Sequence, residues 1–208
     1  MSLKVSRSSA VNPAPLLRYG VLRSAEELTT FLNTNWLAAY SSLSTQTKTD
    51  LNQLLSDLGM DWTNGIFRLT DDKTCLDLEA ICELLAQTSW AAGRPRRTME
   101  QAIQHSVCLG LFLGDRQIGF ARAVTDQATF AWICDVIIHP DHRGKGLGQW
   151  MVKCLLDHPQ LQTRSQVLAT NDAHGLYERF GFKRTEYMRR GPEMGAATAV
   201  AKFASPTE

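Results

Sequence analysis

An excess of one charge, long apolar runs and a cysteine framework are all missing from this sequence. Its 22 Lys and Arg balance 21 Asp and Glu to a net charge of +1, so no global field draws the chain to nucleic acid or a membrane surface. No apolar run approaches the ~20 residues of a membrane span. Residues 1–20 lack the apolar centre of a secretory signal. The five cysteines (Cys75, Cys82, Cys108, Cys134, Cys154) are odd in number, far apart and set in apolar stretches. That is how reduced core thiols look, and it points to the cytoplasm. What remains is ordinary globular material. With 208 residues, 44% hydrophobic and 21% charged, the chain can bury one good core with a small appendage.

Residues 1–20, rich in Ser, Pro and Asn, read as a loose arm. Ser24 and Glu27 form a capping box, and apolar residues follow at helical spacing to Trp36 and again from Leu51 to Leu58, stopping at Gly59. Residues 24–59 are thus expected to be two helices, either an accessory hairpin or an oligomer contact such as that of a homodimer. The boundary is placed so that 1–62 is arm and helical extension and 63–208 is the main domain. There, "GIFRLT" reads as a strand, Leu78, Ile81, Cys82 and Leu85 as a helix face ending near Trp90 and Gly93, and Thr98 with Gln101 as the cap of a short helix. "VCLGLFL" and "QIGFARAV" make a hairpin through Gly114 and Asp115, and "FAWICDVII" is a strand covered on both faces. Leu147, Trp150, Met151, Cys154 and Leu155 give one helical face stopped by Pro159. "SQVLAT" is a strand, "AHGLYERF" a helix and "GFKRTEYMR" a strand restart. The order is mixed α/β, an antiparallel meander followed by β-α-β-α-β.

The chemistry concentrates in "HPDHRGKGLGQW", residues 139–150, where glycines and two cations stand at a helix start. A helix N-terminus exposes unpartnered N–H groups and partial positive charge, and glycines let a ligand approach that backbone. The combination reads as a phosphate cradle, with a solvated glycine turn as the plain alternative. It is not a nucleotide-hydrolase P-loop, because Gly148 is followed by Gln149. Nor is it a dinucleotide fingerprint, which would open the first βαβ unit.

Arg143-Gly144-Lys145-Gly146-Leu147-Gly148, straight after "DVIIHPDH", resembles the pyrophosphate loop of the GCN5-related N-acetyltransferases (GNAT). "TNDAHGLYERFGF", residues 170–182, resembles that family's later motif. The resemblance covers roughly residues 64–190. It implies a mixed α/β fold whose central, mostly antiparallel sheet has splayed strands flanked by helices. It also implies acetyl-coenzyme A as cosubstrate without a metal. Gly144 to Gly148, including Lys145, Gly146 and Leu147, with the Arg143 amide, would hold the pyrophosphate. Val136, Ile137 and Ile138 would run along the pantetheine arm, with backbone groups of Val136 and Ile138 pairing to it. Thr170 stands where the family often has Asn, with Asn171 next, which puts a side-chain contact there in doubt. Tyr177 matches the family's general acid. The acceptor implied is a primary amine of a small molecule or a peptide.

A thiolate with pKa near ~8.5 can take a proton from a positioned phenol. The general base stays open. Asp135, inside "WICDVII", stands out because burying it unpaired is costly; a structural partner role and a water chain are its rivals. His139, His142, Asp126 and Glu83 are further candidates. His139 and His142 have HxxH spacing, but Pro140 between them and the lack of a completing ligand set speak against a metal site. "GRPRR", residues 93–97, reads as a substrate-side loop, a 3′-phosphate contact or a solvated run rather than a nucleic-acid patch. Two rivals to an N-acetyltransferase remain: a non-catalytic acyl-coenzyme A sensor, and a same-fold transferase with another acyl donor or a hydroxyl acceptor.

Overall fold

The computed structural model describes residues 2–5, 44, 46, 59–188 and 190. The two helices expected within 24–59 lie outside the described residues. Seven strands form one sheet in chain order: β1 (Ser2–Val5), β2 (Met60–Asn64), β3 (Phe67–Thr70), β4 (Val107–Leu113), β5 (Arg116–Thr125), β6 (Phe130–Ile138) and β7 (Ser165–Leu168). Every neighbouring pair is antiparallel except β6–β7, which is parallel. A parallel pair needs a crossover, and α3 (Leu147–Leu156) supplies it. The other helices are α1 (Leu78–Ala86), α2 (Arg96–Gln104) and the short α4 (His174–Glu178). No described helix is long and apolar enough to cross a membrane.

The two faces of the sheet carry two cores. On one, Leu147, Trp150, Met151, Cys154 and Leu155 of α3 pack on Leu109, Leu111, Ile118, Ala121, Ile133 and Ile138. That is the face the 3.6-residue period predicts. On the other, Ile81, Leu84 and Leu85 of α1 and Met99 of α2 pack on Cys108, Phe120 and Ile137. Asp77 starts α1 by accepting from the amides of Glu79 (3.0 Å) and Ala80 (3.1 Å). A second tie joins the strands to the end of α3. His158, buried, meets Asp71 Oδ2 through Nε2 at 3.0 Å, while its Nδ1 accepts from the Gln160 amide. The Nδ1 bond leaves the ring proton on Nε2, so the imidazole donates to the carboxylate.

Several expectations are corrected. Ser2–Val5, placed in a loose arm, forms a strand against β2, and the alternation Leu3-Lys4-Val5 is its pattern. The boundary at residue 62 falls inside β2, which joins β3 through a two-residue turn at Gly65 (φ 60°) and Ile66. Gly at the first turn position is what such a hairpin requires. Helix α1 ends at Ala86, closed by the Thr88 hydroxyl donating to Leu85 O at 2.7 Å, rather than near Trp90. Helix α2 opens after Pro95, whose fixed φ suits a helix start, and Thr98 does not cap it. Over residues 181–188, the described part of "GFKRTEYMR", the strand restart does not form. Residues 183–188 are exposed and unpaired, because Lys183, Arg184, Thr185 and Glu186 offer no apolar alternation to seat on the β7 edge.

Candidate active site

Strands β6 and β7 pair only from Phe130/Ser165 to Ile133/Leu168, after which β6 runs on alone to Ile138. The parting coincides with a fault in the β5–β6 ladder. Arg122 faces Cys134 and Phe120 faces Ile137, so Asp135 and Val136 together oppose Ala121. This is a β-bulge, and Asp135 takes a φ of 53° to make it. One extra residue shifts the side-chain alternation by one. Ile133 before the bulge and Ile138 after it therefore share the α3 core, while Ile137 enters the other. The His139 amide donates to Ile118 O at 2.8 Å, so by antiparallel alternation Ile138 turns its own N–H and C=O away from β5. That side of Ile138 lies beyond the end of β7, and its carbonyl accepts from Arg143 Nε at 2.9 Å.

Asp135 is held as an ion-pair partner. Its carboxylate is 3% exposed, and Oδ2 accepts from Arg94 Nη1 at 2.7 Å and from Arg122 Nε at 2.5 Å. A general base must present a free lone pair to the proton it takes; Oδ2 is shared by two cations, and Oδ1 is the carboxylate oxygen with no donor among the described residues. The basic loop takes part in this pairing. Arg94 pairs with Asp135, and Arg96 pairs with Glu79 and Glu100. Asp126 fits the base role no better. It holds the β5–β6 turn through the Thr129 hydroxyl and the amides of Ala128, Thr129 and Phe130, which keep its carboxyl well below the usual range.

The glycine loop is built as an open row of donors. Gly144 (φ 75°) and Gly146 (φ 76°) are left-handed, and no atom lies within 4 Å of where their Cβ atoms would stand. A Cβ on Gly148 would meet only Ile138 Cγ1 at 3.7 Å, so packing within the protein does not demand glycine there. Helix α3 starts at Gly146 without a side-chain cap. Among the described residues, the amides of Gly144, Lys145, Gly146, Leu147 and Gly148 have no protein acceptor. The Arg143 amide does not join them; it donates to Pro140 O at 3.1 Å. Arg143 contributes its guanidinium instead, tying the loop to Ile138, and Lys145 Nζ donates to Asp141 O at 3.2 Å. His139 and His142 flank this loop edge to face at 5.8 Å. His139 is engaged at both ring nitrogens, by the Asp141 amide and Arg116. Desolvation, and then the charges of Lys145, His139 and Arg116, hold His142 below the ordinary histidine pKa.

Tyr177 stands on α4 with 8% of its surface exposed, its ring edge to face on Phe182 at 5.9 Å. Its hydroxyl has no protein hydrogen-bond partner among the described residues. Burial first, and then the negative charge of Asp172, push its pKa up to about 12, so the phenol keeps its proton throughout the neutral range. A cavity of about 670 Å³ lies between β7, α4 and residues 180–187, lined by Thr170, Asn171, Tyr177, Phe182 and Tyr187 among others. Thr170 Oγ1 accepts from the Ala173 amide at 3.0 Å and so shapes the turn into α4. Cys134, the first β6 residue past the β7 pairing, lies within electrostatic reach of Tyr177 and of Arg122, Asp135 and Arg94. Burial lifts its thiol to about 12, which keeps it neutral. The parting of the strands thus brings together Asp135, Val136, Ile138 and the loop from 143 to 148, with Tyr177 within electrostatic reach of Cys134. Arg122 is the participant that the sequence reading missed, and Arg94 was read only within the basic run 93–97, with no partner named. A lone carboxylate in an apolar strand was the signal that buried counter-charges exist.

The model of the acetyltransferase (GNAT) domain matches residues 104–184, which hold the bulge, the glycine loop and Tyr177. A provisionally assigned acetyltransferase of the GNAT family from Xanthomonas campestris pv. campestris, known from its crystal structure, is 38% identical, with a TM-score of 0.60. The match covers 64% of this chain and 97% of that one. A provisionally named acetyltransferase of Gibberella zeae is 29% identical over 146 residues, 59% of this chain and 82% of the relative. An uncharacterized N-acetyltransferase, ycf52, of Porphyra purpurea is 32% identical over 113 residues, 51% of this chain and 63% of its own length.

Proposed function

Because this chain belongs to the GCN5-related N-acetyltransferase family, we propose that it moves an acetyl group from acetyl-coenzyme A to a primary amine by direct attack, with Tyr177 as the general acid. The observation that carries the reading is the row of unpartnered amides from Gly144 to Gly148, next to the strand end where β6 runs past β7. A pyrophosphate fits such a row, with partial positive charge from α3 behind it. Acetyl-coenzyme A supplies the activated acyl group as a thioester.

The chain's own part follows from its geometry. The loop amides hold the diphosphate, and Lys145 and Arg143 keep that backbone in place through Asp141 O and Ile138 O. Val136 and Ile138 offer backbone groups along the pantetheine arm, in the space a longer β7 would fill. The Tyr177 phenol, protonated and without a competing partner, gives its proton to the departing sulfur, and the phenolate recovers a proton through water as the acylated nitrogen sheds its own. No side chain is assigned as base. The amine loses its proton to water, which the positive charge of Arg94 and Arg122 favours, because like charge lowers the pKa of an ammonium.

The test pairs calorimetry of acetyl-coenzyme A binding with free-thiol release over an amine panel. The reading predicts binding that Gly146→Glu abolishes and amine-dependent release. Binding without release from any amine would leave an acyl-coenzyme A sensor instead.

A further inference from the structure

Two cations against one anion is an unbalanced count for a cluster this poorly solvated. Arg94, Arg122 and Asp135 are 24%, 14% and 3% exposed, and together carry one net positive charge. Their contacting neighbours Ser106, Met99 and Cys134 are neutral. Farther out, Lys73 beside Cys108 adds a positive charge, and Asp172 beside Tyr177 adds a negative one. The donors are unbalanced too, since each guanidinium has five N–H groups. Arg94 uses Nη1, toward Asp135 and Met99 Sδ; Arg122 uses Nε toward Asp135 and Nη1 toward the Ser106 hydroxyl at 3.1 Å. Arg94 Nε and Nη2 and Arg122 Nη2 have no acceptor among the described residues. None of these atoms is a buried orphan among the described residues. The cluster sits on the bulge where β6 and β7 part, beside Cys134, whose thiol is also within electrostatic reach of Tyr177.

We infer that the acceptor amine carries a carboxylate, and that Arg94, helped by Arg122, receives it. The inference rests on the acetyl-transfer reading above. A carboxylate matches the planar fork of a guanidinium and brings the cluster to neutrality. A phosphate monoester, at about −1.5 to −2, would overshoot to a net negative charge. The same surplus charge keeps the attacking amine neutral, so recognition and activation come from one pair of arginines. Arg94 thereby acts as a specificity residue for amino-acid-like acceptors, anchored from the loop before α2 by Asp135.

The experiment uses the full chain, acetyl-coenzyme A and matched primary amines: glycine against glycinamide, and β-alanine against propylamine. Free-thiol release is read with each. The expected preference for the acid member is about 10- to 100-fold in kcat/KM, the range of one charge-assisted contact. In Arg94→Gln the preference falls toward one, through a higher KM for the acid member, and Arg94→Lys restores part of it. Equal turnover of both members by the parent protein overturns the inference and leaves acetyl transfer standing. A preference that survives in Arg94→Gln, with both rates lowered alike, also overturns it and reduces Arg94 to a support of the bulge. Absence of release from every amine overturns the transfer reading together with the inference.

Discussion

The glycine loop and the β6 bulge solve one backbone problem in opposite ways. Both need left-handed residues: Gly144 at φ 75° and Gly146 at φ 76° in the loop, Asp135 at φ 53° in the bulge. In the loop the chain uses glycine, so the conformation carries little strain, and the absent side chains leave a row of amides open to a ligand. In the bulge it keeps a side chain where that costs on the order of 1–2 kcal/mol, because the carboxylate is wanted by Arg94 and Arg122. The open place offers backbone donors to a ligand; the filled place fixes the two arginines by a side chain.

Asp135→Ala breaks the comparison hardest. It strands two guanidiniums and keeps the unfavourable φ, so stability falls by about 3–5 kcal/mol. Urea unfolding checks this, and Asp135→Asn, which tolerates φ near 53°, should recover only the backbone part of the loss.

Tyr177→Phe comes next and moves rate rather than stability. It keeps the packing on Phe182 and removes the proton donor, lowering turnover by about 10² to 10⁴ with coenzyme affinity nearly unchanged. Steady-state kinetics with calorimetry separates the two quantities.

Gly144→Ala is smaller. Space is open at the Cβ position, so the penalty is the left-handed conformation alone, about 1–2 kcal/mol in urea unfolding.

A gentle pH effect sharpens the picture last. The Tyr177 pKa is raised to about 12 from an unfolded value near ~10. Its contribution to stability is therefore complete below pH ~10 and is lost as pH rises toward about 12. Thermal melting across that window should decline less steeply in Tyr177→Phe than in the parent.

The helical face of α3 was legible because five apolar residues recur at one period, and all five are buried. The hairpin through Gly114 and Asp115 was legible for the same local reason. What stayed hidden depends on distance or on register. Arg94 lies 41 residues before its partner Asp135, so "GRPRR" looked like a solvated or substrate-side run. The bulge is invisible in "WICDVII", since a strand covered on both faces shows no alternation that a one-residue slip could disturb. The commitment of the Arg143 amide to Pro140 O was hidden too, because a turn within "HPDHR" decides it. Strand β1 and the Gly65-Ile66 turn, by contrast, carried local signals that went unread.

The most direct test of acetyl transfer at this site counts both products. Full-length protein is incubated with acetyl-coenzyme A and β-alanine, free thiol is titrated, and N-acetylated amine is quantified by mass spectrometry. Equal amounts of thiol and acetylated amine, both lost in Gly146→Glu, are the predicted result. Thiol released without acetylated amine, or acetylation unchanged in a folded Gly146→Glu, would contradict the account.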